Sequence, residues 1–222
     1  MENRNSSGKF SVGNLVAVLA GLMYFFFIRP QLTKWGTRLG EVQRRLTGDD
    51  RIPQPNFQAT KAVDIDAPIE AIWPWLAQMG RTRTGWYSLD VFTNNGIPSA
   101  TYIRKDLGQP QSGMALDMGL QILDLESGRL LLLGGYDLPN WFGTSTDVTR
   151  LYLLEKKSMG GTRLLVRTRI HSYGVLGKLF NLLLEPVDFV LTQQQLIGLK
   201  ARAETMAYLQ IPIPLEHEIS LN

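Results

Sequence analysis

The chain contains no cysteine, which excludes a disulfide framework and thiolate metal ligation and permits either redox compartment. Histidine is nearly absent. His171 and His217 are the two present, too few for a histidine-rich metal site. No dinucleotide-binding G-x-G-x-x-G, phosphate-binding loop, H-E-x-x-H or G-x-S-x-G occurs, so no metal or cofactor is expected and no catalytic residue is assigned. Repeats and low-complexity tracts are not apparent. With 44% hydrophobic and 19% charged residues the chain is not of the disordered class. The net charge of +3 is uneven: Met1 to Arg51 holds eight Lys/Arg against four Asp/Glu, and the remainder holds fifteen against sixteen. Basicity therefore belongs to the N-terminal part. That argues against a nucleic-acid-binding domain and for a membrane-proximal segment.

Charge is missing altogether between Lys9 and Arg29. Phe10 to Ile28 has Ser11 and Asn14 as its clearly polar members, and nineteen helical residues reach about 28 Å, close to the hydrocarbon thickness of a bilayer. A signal peptide would end sooner, because the apolar run continues eight residues beyond Ala20. The expectation is a retained single-pass anchor, with residues 1–30 as tail and transmembrane helix. Arg29, Lys34, Arg38, Arg44 and Arg45 follow the span, whereas Arg4 and Lys9 precede it, so the positive-inside bias puts the following domain in the cytoplasm. Ala17 and Gly21 give only a weak small-xxx-small hint of helix pairing.

Residues 31–55 read as a juxtamembrane helix and linker. Leu32, Trp35, Leu39, Val42 and Leu46 form one apolar face, with basic residues on the others. Such a helix suits the membrane surface, and equally a face packed on the domain or a short coiled coil. Thr47 to Asn56 is rich in turn residues.

From residue 56 to 210 the pattern is that of one domain, followed by a tail over 211–222. Gln58 to Ile65 alternates as a strand; Pro68 opens a helix that Pro74 kinks and Gly80 ends. Thr101 to Arg104 suits a short strand. Leu120–Leu125 with Leu130–Leu133, and Thr149–Glu155 with Thr162–His171, read as hairpins, Gly134-Gly135 breaking the second of these four strands. Successive hairpins imply an antiparallel sheet. A last long helix, Pro186 to Leu209, takes Pro186 as its first residue and Glu185 and Asp188 as charges at its positive end. The fold class expected is α+β.

The segment Ala59 to Gly80 (ATKAVDIDAPIEAIWPWLAQMG) resembles the opening strand and helix of START-like, SRPBCC-type proteins, many of them labelled polyketide cyclase/dehydrase-like. Gly85-Trp86-Tyr87-Ser88-Leu89-Asp90, Gly160 to Arg167 and Gln195 to Glu204 resemble later segments of one bacterial branch, in matching order. The resemblance covers about Asn56 to Leu209 and implies a helix-grip: a curved antiparallel sheet around the long C-terminal helix, with a cavity between them. The N-terminal anchor lies outside the shared domain.

Candidate ligand-binding residues follow from that cavity. On strand 162–171, Arg163, Leu165, Arg167, Arg169 and His171 share one face, opposite Leu164, Val166 and Ile170. If the polar face points inward, Arg167, Arg169 and His171 suit an anionic headgroup or carboxylate; if outward, they are ordinary surface residues. Trp86, Tyr87, Asp90 and Trp141 either line the cavity or, for the first two, plug the core. Arg104, with Asp106, either closes the mouth or is solvated. The function expected is binding of a hydrophobic small molecule or lipid near the membrane. The alternatives are a cyclase- or dehydratase-type enzyme using Asp90, His171 or an Arg, and an interaction module with a filled core. Oligomeric state is not legible.

Overall fold

The expected strand after the linker forms as β1 (Phe57–Ile65), and its alternation sets up everything that packs on it. Phe57, Ala59, Lys61 and Ile65 point to the face that the helices cover; Thr60 and Ala62 point to the other. The computed structural model describes residues 12–209 except 118. Phe10, Ser11, the flanking Arg4 and Lys9, His217 and the tail 211–222 lie outside the described residues.

Five further strands complete one sheet: β2 (Ala115–Asp117), β3 (Leu120–Glu126), β4 (Leu130–Pro139), β5 (Ser145–Lys156) and β6 (Thr162–Ser172), in the order β1-β6-β5-β4-β3-β2, every neighbouring pair antiparallel. With α3 (Ile69–Ala77) and the closing helix α5 (Gly174–Leu209) on one face, and the short α4 (Asp90–Thr93) in the connection from α3 to β2, the arrangement is a helix-grip of the α+β class. The inner face packs Ile65, Ile122, Leu131, Leu133, Tyr152, Leu164 and Val166 against Ile72, Trp75 and Leu76 of α3 and Leu196, Leu199 and Ala203 of α5. Each such side chain, fully buried, contributes about 1.5–3 kcal/mol.

Four expectations are corrected. The closing helix begins at Gly174, twelve residues before Pro186, because Val175 to Glu185 is leucine-rich; Pro186 is inside the helix and removes one internal bond without ending it. Residues 101–104 form no strand. The Gln78 side chain occupies their backbone, its Nε2 donating to the Tyr102 carbonyl at 3.2 Å and its Oε1 accepting from the Arg104 N–H at 2.9 Å. Gly134 and Gly135 do not break β4: they admit close neighbours, since a Cβ on Gly135 would stand 2.6 Å from the Gly119 carbonyl, and the register shifts just beyond.

The fourth correction concerns residues 34–46, expected to be helical, which form turns, as do the linker residues that continue to 56. They lie across the outer face of the sheet, where Leu46 joins Ala62, Leu130, Leu132, Leu151, Leu153 and Leu165. Carbonyls that a helix would use internally are taken by arginines of β6: Arg163 donates to Gly36 O, and Arg167 to Glu41 O, Val42 O and Arg44 O, at 2.7–2.9 Å. Left-handed backbone at Gly36, Gly40 and Gly48 is equally incompatible with a continuous helix. Leu39, placed on the expected apolar face, is fully exposed.

At the N-terminus, α1 (Val12–Met23) runs through a wider turn at Tyr24–Ile28 into α2 (Arg29–Thr33). Pro30 supplies no N–H to the preceding turn, and a widened turn accommodates its ring. Gly13 to Thr33 is long and apolar enough to cross a membrane; its most apolar stretch holds no buried residue among the described residues, and Thr33 at its end is buried.

Candidate functional site

Where α5 crosses β1 and β5, the inner face changes from apolar to charged. Lys61 of β1 is 1% exposed and Asp188 of α5 is 8% exposed. Lys61 Nζ donates to Asp188 Oδ2 at 2.5 Å and to the Asp188 carbonyl at 2.9 Å. Arg150 of β5 donates to Asp188 Oδ1 at 2.5 Å and to Thr168 Oγ1 at 3.1 Å, and Thr192 donates to Oδ1 from one turn on. One turn further, Gln195 accepts from the Tyr152 hydroxyl at 2.8 Å and donates to the Trp86 carbonyl at 2.9 Å. Phe189 stands over Lys61, its ring centre 5.7 Å from Nζ.

The electrostatics follow from two cations on one carboxylate. Burial pushes Asp188 up, but Arg150 and then Lys61 more than reverse it, holding its carboxyl below the ordinary aspartate value. Burial drives the Lys61 ammonium down further than Asp188 restores it, with Arg150 adding repulsion. Burial also works against the Arg150 charge, and Asp188 and Tyr152 together outweigh that burial, so the guanidinium is raised. The cluster carries a net positive charge, and Arg150 keeps 26% of its side chain exposed. Such a group can accept an acidic ligand group at Arg150 without first breaking a neutral pair.

Sequence reasoning missed Lys61, Arg150 and Asp188 as a site. Two signals point to them: a lysine among Phe57, Ala59 and Ile65 on the inward alternation of β1, and Asp188, Thr192 and Gln195 on the same helical stripe as Leu199.

The structure separates the residues expected to share one cavity. Arg167, Arg169 and His171 face the outer side of the sheet and are covered by residues 34–56, neither lining the inner face nor meeting water freely. Arg167 is 3% exposed and reaches Asp49 at 2.8 Å and Thr60 at 3.0 Å; Arg169 donates to Ile52 O at 3.0 Å and to Gln58; His171 Nδ1 contacts Gln54 O at 2.8 Å. Tyr87 plugs the core: it is 2% exposed in a left-handed conformation, with its hydroxyl shared by Thr84 and Gln78 and its ring edge-on to Trp75. Burial raises its hydroxyl pKa. Trp86 is half-buried against the same core and gives its carbonyl to Gln195. Asp90 ties the loop after it, accepting from the Ser99 N–H at 2.9 Å and from the Asn94 and Ser99 side chains. Asp90 and His171 thus stand on different sides of the sheet. Arg104 pairs with Asp106 at the surface and borders two open clefts, one of about 140 Å³ beside Trp73 and Leu107 and one of about 280 Å³ beside Arg81 and Tyr102. Trp141 is 92% exposed in the β4–β5 loop, edge-on to Phe180 of α5.

No family model matches the chain, and no curated protein matches it in sequence. Solved structures with a similar course include a hypothetical protein from Helicobacter pylori (14% identity, TM-score 0.46, 75% of this chain and 98% of that one) and a protein from Nitrosomonas europaea (12%, 0.43, 68% and 96%). A third is the di-domain ARO/CYC BexL of the BE-7585A biosynthetic pathway (15%, 0.38, 71% and 52%).

Proposed function

We propose that this chain is a single-pass membrane protein whose START-like domain, on the cytoplasmic side, binds an apolar molecule or lipid bearing an acidic group, between α5 and the inner face of the sheet. The observation that carries this reading is the Lys61–Asp188–Arg150 cluster, with its surplus positive charge and partly open Arg150. The N-terminal apolar helix supports the membrane address, and the residues that follow it supply the positive-inside bias. The resemblance of Ala59 to Gly80 supports the helix-grip binding mode. The chemistry first assigned to Arg167 and Arg169 is retained on different cations.

Native mass spectrometry of the detergent-solubilised full chain with oleate, and with oleyl alcohol as its uncharged counterpart, tests this. The expected result is an oleate adduct that exceeds the alcohol adduct and falls at least about tenfold in Arg150→Met, as loss of a charge-assisted bond implies. Equal adducts for acid and alcohol, unchanged in that variant, overturn it. A second reading, an interaction module without a ligand, is favoured by how completely Tyr152, Leu164, Val166, Leu196 and Leu199 fill the deeper part of the same face. No oleate adduct at all supports that second reading.

A further inference from the structure

The first half of α5 presents an apolar surface to the outside. Val175, Leu176, Leu179, Leu182, Leu183, Val187 and Val190 are 40–84% exposed, on a helix whose other side is buried through Asn181, Glu185 and Asp188. Single exposed leucines are ordinary; a contiguous stripe of them on one helix is not. Trp141 extends the patch, held over α5 by its edge contact with Phe180 at 6.1 Å. Over residues 174–190 the charged side chains are Lys178, which is exposed, and Glu185 and Asp188, which are buried. The helix surface therefore carries one exposed cation and no exposed acid; of the nearby acids on β4 and β5, Asp137 is exposed and Asp147 accepts from the Tyr173 hydroxyl and the Asp137 N–H.

This patch is tied to the apolar N-terminal helix. Tyr24 donates its hydroxyl to Glu185 at 2.9 Å, and the Arg29 guanidinium spans both Glu185 oxygens at 2.9 Å. Tyrosine and arginine near one end of a span are the residues that settle at headgroup level. Anchoring α5 to them at Glu185 brings its leucine stripe to that same level.

We infer that the exposed face of α5 from Val175 to Val190, together with Trp141, is inserted into the interfacial layer of the bilayer, so that the domain lies docked on the membrane and does not merely hang from its anchor. Lipid is the occupant that the anchor's position, the missing exposed acid and the interfacial tryptophan fit together. The inference rests on the proposed anchor, and its test separates the two.

The absence of cysteine permits single labels without background. Phe26→Cys, Leu179→Cys, Trp141→Cys and Met159→Cys, all at exposed positions, are labelled with an environment-sensitive fluorophore in the full chain. Each is reconstituted in phosphatidylcholine/phosphatidylglycerol vesicles with or without doxyl lipids. Met159 lies in the β5–β6 turn, at the opposite end of β6 from Ser172 and about 33 Å away along that strand. The expected result is a blue shift and at least about twofold quenching by shallow doxyl at 179 and 141, the same at 26, which lies between Tyr24 and Arg29 at headgroup level, and neither at 159. Quenching at 26 without quenching at 179 and 141 overturns the docking and leaves the anchor. No quenching at 26 overturns both. A blue shift at 179 without quenching, accompanied by 179–179 crosslinking, assigns the face to a second copy and overturns the lipid proposal.

Discussion

On the outer face of the sheet, Arg163, Arg167 and Arg169 meet three carboxylates, Glu41, Asp49 and Asp64, and six backbone carbonyls between Gly36 and Pro53. On the inner face, Lys61 and Arg150 share one carboxylate, Asp188. Both faces hold buried cations on adjacent strands of one sheet. The outer set gives its three arginines three carboxylates, with Asp64 also taking Arg38, and closes over a chain segment; the inner set gives two cations one carboxylate, and one member stays partly open. Equal numbers of charges and acceptors are what a fastening needs, because each unpaired buried donor costs stability. A surplus cation is tolerable only where its remaining donors reach solvent or a ligand. That difference marks the outer arginines as architecture and leaves the inner cations free for the binding role proposed above.

Breaking the outer set has the largest expected effect. Arg167→Leu strands three carbonyls beneath residues 34–56 and leaves Asp49 with Arg169 at 3.4 Å as its remaining cation, and the expected destabilisation is about 4–5 kcal/mol, measured by urea unfolding. Limited proteolysis should then cut between residues 36 and 56 before the sheet opens. An intact 34–56 segment in a destabilised variant would remove the fastening role.

How much of this was legible follows the range of the interactions. The hairpins, β1, α3 and the existence of a closing helix rest on local alternation and punctuation, and they formed as expected. The stretch Leu32 to Leu46 carries a good helical period in Leu32, Trp35, Leu39, Val42 and Leu46, which Gly36 and Gly40 weaken without breaking the pattern. It is overridden by Arg163 and Arg167, more than 120 residues away in sequence, which take its carbonyls. Asp188 was misread for a related reason. With Pro186 taken as the helix start, an acid two residues later is a charge at the positive end. With the start at Gly174 it is a mid-helix acid on the buried stripe, which demands a cation. Pairing between distant elements, not residue type, was the missing information.

On the inner face, Asp188→Asn leaves Lys61 and Arg150 buried together without a counter-charge. The expected loss is about 3–4 kcal/mol at neutral pH, read from the thermal or urea midpoint. Its pH dependence is specific. The folded-state value of Asp188 lies below its ordinary 3.8, so its stabilisation is complete above that value and disappears as pH falls through the folded value. The variant should therefore lose less stability than the native chain on acidification below about pH 4. Parallel acid limbs in the two proteins would show that Asp188 is not ionised and paired in the folded state.

Lys61→Met gives the smallest effect and the sharpest one. Methionine fills a similar volume, and its removal of the ammonium leaves Arg150 and Asp188 as a neutral pair. The outer face offers no such substitution, since the arginines there hold backbone carbonyls that methionine cannot satisfy, one for Arg163, two for Arg169 and three for Arg167. At neutral pH the variant should be as stable as the native chain or more stable by up to about 2 kcal/mol, because the desolvation of the second cation is no longer imposed. The Lys61 ammonium is depressed in the folded protein, chiefly by burial, so folding releases its proton early and native stability rises with pH toward the ordinary lysine value of 10.5. Lys61→Met should flatten that alkaline rise. If the variant instead falls by several kcal/mol, Lys61 is a strut like Arg167, the two faces are built alike, and the surplus charge on which acidic-ligand binding depends is not a surplus.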